Sequence, residues 1–80
     1  MNKEEILLEL QKCRYTSNPN FDSAYSHSRL NMIIRFINNN KISLVWTNAE
    51  QTKEREEFAV IKLEQIYDFA MLLRCLGIGF

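Results

Sequence analysis

The chain is short of every residue that usually carries a recognisable chemistry. Its 80 residues include one histidine, one proline, two glycines and two cysteines. Both glycines, Gly77 and Gly79, lie near the C-terminal end, so no glycine-rich turn precedes a helix to cradle a phosphate, and no glycine-flanked serine offers a nucleophile elbow. His27 has Ser26 and Ser28 beside it, with Cys13, Asp22 and Cys75 elsewhere, but a hydrolytic site also needs a base paired with a nucleophile and an oxyanion hole. One histidine and two widely separated cysteines lack the paired ligand spacing of a zinc site. No catalytic residue, metal or cofactor is therefore expected. Cys13 and Cys75 each fall within a helical pattern and read as small buried hydrophobes in a reducing compartment, not as a disulfide.

Long apolar runs are missing too. Nothing approaches the roughly 18 residues a membrane helix needs, and the first ten residues alternate charged and apolar groups, unlike a signal sequence. A cytoplasmic protein without a membrane partner is the expectation. There is also no excess of either charge: ten basic and ten acidic residues cancel, so no global field draws the chain to nucleic acid or an anionic surface. Disorder is excluded from the other side, because 46% of the residues are hydrophobic. The length fits a single domain over residues 1–80, close to the lower limit for a core without staples.

What is present is alternation. Leu30, Met32, Ile34 and Phe36, then Ile42, Leu44 and Trp46, are apolar at a spacing of two, which is the period of a pleated strand with one buried face. Asn38-Asn39-Asn40 between them tolerates a tight turn, so the two runs read as an antiparallel hairpin with its parity kept. A third strand is expected over Glu56 to Lys62, where Phe58-Ala59-Val60-Ile61 is short and β-branched. The competing pattern is a single long helix beginning near Asn48, since Ala59, Leu63, Ile66, Ala70 and Leu73 recur at three and four.

Helices flank this sheet. Asn2 and Glu5 form a capping box ahead of a helix from about Lys3 to Arg14, with Ile6, Leu7, Leu10 and Cys13 as its apolar stripe. A second is expected from Glu64 to Leu76, ended by Gly77 with Ile78 folding back. Between the first helix and the hairpin, Thr16 to Ser28 is polar, contains Asn18-Pro19, and is expected to be a long loop, with a short helix over Phe21 to Ser28 as an option. The expected fold is α+β: a three-stranded antiparallel meander between an N-terminal and a C-terminal helix.

This layout resembles that of the small phage-encoded anti-CRISPR inhibitors of Cas9. The resemblance is carried by Ile33-Ile34-Arg35 running into Asn38-Asn39-Asn40 behind an opening Met1-Asn2 helix. It implies a small, non-enzymatic inhibitor from a phage or mobile element that acts by binding a larger protein.

Candidate contacts come from three places. The long loop carries Tyr15, Phe21, Tyr25 and His27, and aromatic residues on a long loop are typical of a binding element. The odd-numbered face of the first hairpin strand carries Arg29, Ile33 and Arg35; with Ile37 and Val45 this second face is too apolar to be merely wet, so either the second helix or another protein covers it. The acidic connection carries Glu50, Glu54, Glu56 and Glu57, and residues 48 to 64 hold five carboxylates against three cations. A protein-binding module acting by occlusion is the leading expectation. A nucleic-acid-binding regulator using Tyr25, Arg29 and Arg35 is the second, and a homodimer whose exposed face is self-contact is the third.

Overall fold

The structure, a computed structural model, describes residues 1–68 and Leu72. Helix α1 spans Lys3–Lys12 and begins as expected: the Asn2 side chain accepts from the Glu5 amide at 2.9 Å, and the Glu5 carboxylate accepts from the Asn2 amide at 3.2 Å. These two bonds satisfy amides that the first helical turn leaves without partners. The end of α1 is a Schellman turn made without glycine. Tyr15 donates its amide to the Leu10 carbonyl at 2.9 Å and Arg14 to that of Gln11 at 3.1 Å, while Arg14 sits at φ 64°.

Five antiparallel strands follow, paired in chain order: β1 (Thr16–Ser17), β2 (Ala24–Ser26), β3 (Met32–Asn38), β4 (Lys41–Thr47) and β5 (Glu54–Lys62). The expected three-stranded meander is thus corrected to a five-stranded sheet. The segment expected to be a loop or short helix supplies β1 and β2, which pair through Thr16↔Ser26 and Ser17↔Tyr25. Strands of two and three residues are too short for a period of two to show in sequence. They are held instead by polar contacts that composition does not display.

The hairpin β3–β4 keeps its parity, with Met32↔Trp46, Ile34↔Leu44 and Phe36↔Ile42 in register. The register shifts between Phe36 and Asn38, leaving Ile37 as the extra residue beside the turn, where the Asn38 side chain accepts from the Asn40 amide at 2.7 Å. β5 begins at Glu54 and settles the choice between strand and long helix in favour of the strand. Two register shifts against β4 make Phe58 and Arg55 its unpaired extra residues. After β5, where a helix was expected to start at Glu64, the chain makes a 3-10 turn over Leu63–Gln65, and Ile66 is extended. Pulling the turn onto the core, Leu63 and Ile66 are both buried. The remainder of the expected C-terminal helix and its Gly77 cap lie outside the described residues, as does Cys75.

Two apolar clusters sit on opposite faces of the sheet. The larger holds Ile6 and Leu10 of α1 over Met32, Ile34, Ile42 and Leu44, with Leu63, Ile66 and Leu72 closing it. The smaller consists of Ala24, Ile33 and Val45, covered by Phe21. The second sheet face is therefore not open at this point: Ile33 and Val45 are 0% and 1% exposed. Among the described residues, the aromatic packed against them is Phe21, from the β1–β2 connection. Trp46 departs furthest from expectation. It lies on the even-numbered face but belongs to neither cluster and stays 40% exposed.

Candidate functional site

The structure disperses the aromatic residues of the expected binding loop. Tyr15 is buried at 4% exposure and its ring meets that of His27 edge-on at 5.5 Å. Tyr25 is half-buried and edge-on to Phe36 at 5.9 Å, which places it on the helix side of the sheet. Arg35, next along β3 from the Ile34 that pairs with Tyr25, points to the other side and forms an ion pair with Glu54. Arg29 lies in the turn after β2, its amide accepted by His27 Nδ1 at 3.1 Å. The trio Tyr25, Arg29 and Arg35 is thus not brought together on one face. Ile33, also a candidate contact, is core.

Burial pushes the Tyr15 hydroxyl up to about 12, with the neighbouring Cys13 adding to it. That hydroxyl is the one buried side-chain polar atom without a hydrogen-bond partner among the described residues. The Cys13 thiol is also pushed up, first by burial and then by Glu9, which is the opposite of what activates a nucleophile. Among the described residues, no three of His, Cys, Asp and Glu are grouped so as to hold a metal ion. No helix among them is long and apolar enough to cross a membrane.

A polar network that sequence reasoning missed anchors the loops at one end of the sheet. Asn18 is buried; its amide donates to Ser26 Oγ at 3.3 Å and to the Gln51 carbonyl at 3.0 Å. Gln51 in turn donates to the carbonyls of His27, at 2.6 Å, and Leu30. Asn48 closes the β4–β5 connection by accepting from the amides of Thr52 and Lys53 at 2.9 and 3.0 Å. The connection expected to be a solvated acidic loop is thereby pinned, with Gln51 at φ 58°.

The four candidate glutamates separate by role. Glu54 pairs with Arg35 and Glu57 accepts from the Ser43 hydroxyl, so both are occupied by the sheet's second face. Glu50 and Glu56 are exposed and in no ion pair among the described residues. Glu56 stands directly opposite Trp46 in the β4–β5 register. Trp46 itself stacks on Phe58 with ring centroids 4.4 Å apart and planes at 21°. Phe58 reaches Trp46 because the bulge on β5 frees it from strict alternation, a feature visible only in the register. This pair of aromatics, bordered by the exposed Glu56, is the best-formed candidate contact surface.

A cleft of about 670 Å³ opens elsewhere, between the start of α1, the β3–β4 turn and the end of β5. Lys41 and Lys62 face it, but so do Glu5 and Glu64. Compared with protein-family models, with curated proteins and with solved structures, the chain matches none.

Proposed function

We propose that the chain is a cytoplasmic, non-enzymatic protein-binding module that acts by occluding a surface of a larger partner, in the manner of a small phage or mobile-element inhibitor. The observation that carries this reading is the Trp46–Phe58 stack. A tryptophan left 40% exposed while Ile6, Leu10, Met32, Ile34, Ile42 and Leu44 are sealed into the core forgoes burial worth about 25 cal/mol per Å² of apolar surface. Rigid aromatic side chains at the surface are the usual anchors of protein interfaces, because they bring a large contact area at little cost in side-chain entropy. Phe58 stacks on one side of the indole, and the two rings sit on the neighbouring strands β4 and β5.

The test is co-purification from host cells of wild-type protein beside the variants Trp46→Ala and Leu8→Ala. Leu8 is exposed on α1 and controls for loss of surface hydrophobicity as such. A defined partner is expected with wild type and Leu8→Ala and at least tenfold less of it with Trp46→Ala, the latter keeping the wild-type circular dichroism spectrum. Equal recovery with all three overturns the assignment of this surface.

A further inference from the structure

We infer that the Trp46–Phe58 stack receives an arginine side chain of its partner, the indole taking the guanidinium face while Glu56 accepts from its edge. The inference deepens the protein-binding reading and rests on it. Two features of the surface point to a cation. First, an exposed indole is the strongest of the aromatic platforms for a cation, and no cation among the described residues occupies it; the cation–π pair the fold makes for itself is Lys3 over Phe36 at 5.2 Å. Second, the residue across the ladder from Trp46 is a carboxylate. Glu56 is exposed, and its neighbours Glu54 and Glu57 already have partners while it has no ion pair among the described residues.

Arginine fits this arrangement better than lysine. Its planar guanidinium lies flat on a ring and still directs N–H donors sideways to a carboxylate, whereas an ammonium is a compact, strongly hydrated point charge. A cross-strand Trp–Glu pair offers those two functions at adjacent positions. Arg55, the bulged residue between Glu54 and Glu56 in the chain, is the group that opposes the incoming charge and tunes the affinity.

Trp46 is the sole tryptophan, so its emission reports on the site directly. The experiment titrates the full chain at low salt with hexa-arginine, hexa-lysine and hexa-glutamate peptides. Saturable change of Trp46 emission is expected with the arginine peptide, about threefold weaker binding with the lysine peptide, and no response to the glutamate peptide. Glu56→Gln is expected to weaken arginine-peptide binding about threefold and Arg55→Gln to strengthen it, while Glu4→Gln on α1 leaves it unchanged. No saturable response to the arginine peptide, or an equal response to the glutamate peptide, overturns the inference. If that happens while Trp46→Ala still abolishes co-purification, the cationic partner falls and the protein-binding reading stands. If the arginine peptide binds as expected but co-purification ignores Trp46, the cation site stands and the reading of its cellular role falls.

Discussion

Tyr15 shows how a buried side chain can hold its place while one of its atoms works against the fold. Its ring is part of the main core and meets His27, yet its hydroxyl has no hydrogen-bond partner among the described residues. A buried hydroxyl without a partner loses its bonds to water and gains none in exchange, at a cost of about 1–3 kcal/mol. Tyr15→Phe keeps the ring and removes that cost, so at neutral pH the urea midpoint is expected to stay level or rise. The same burial sets a pH dependence. Because the hydroxyl ionises at about 12 in the fold against an ordinary 10.0, the folded chain holds its proton where the unfolded chain has lost it. The stabilisation is fully present below pH 10 and is lost as pH climbs toward 12. Cys13, pushed up in the same direction, adds a fall that begins lower, above its ordinary 9.0. Urea unfolding followed across this alkaline range is expected to show a component of the wild-type decline that Tyr15→Phe lacks; parallel curves for the two proteins contradict the account.

The strands and helix differ in how openly the sequence announces them. The capping box of Asn2 and Glu5, the α1 stripe of Ile6 and Leu10, and the pairing register of β3 and β4 are all periodic or positional signals that appear in the structure, with Trp46 the one member of the alternation left exposed. β1 and β2 carry no such signal. They exist because Asn18, Ser26 and Gln51 satisfy one another's polar groups across stretches of chain far apart in sequence, which no local pattern encodes. The Schellman end of α1 is hidden for a different reason: the glycine that normally marks it is replaced by Arg14 at φ 64°. A side chain in left-handed backbone is disfavoured by roughly 1 kcal/mol, and glycine is not. Arg14→Gly is accordingly expected to raise stability by about 0.5–1 kcal/mol in urea denaturation, with the rest of the fold unchanged. A loss of stability of that size contradicts the assigned turn.

Across the molecule, the two sheet faces end up with different duties. The helix face builds the main core, and the other is sealed by Phe21 over Ile33 and Val45 and by the Arg35–Glu54 and Ser43–Glu57 contacts. Sequence parity correctly showed that Ile33 and Val45 need cover but left open what supplies it, because Phe21 reaches them through a turn with Ser23 at φ 51°. Covering that face moves the candidate contact elsewhere. Parity assigned Trp46 to the core, and only the placement of α1 and the bulge at Phe58 reveal that it remains at the surface. Acrylamide quenching of Trp46 emission, measured on the free protein and again with a co-purified partner bound, decides whether this surface is the interface. Trp46 is expected to be readily quenched when free and several-fold less quenched in the complex; unchanged quenching with the partner demonstrably bound would show that the partner is held somewhere else.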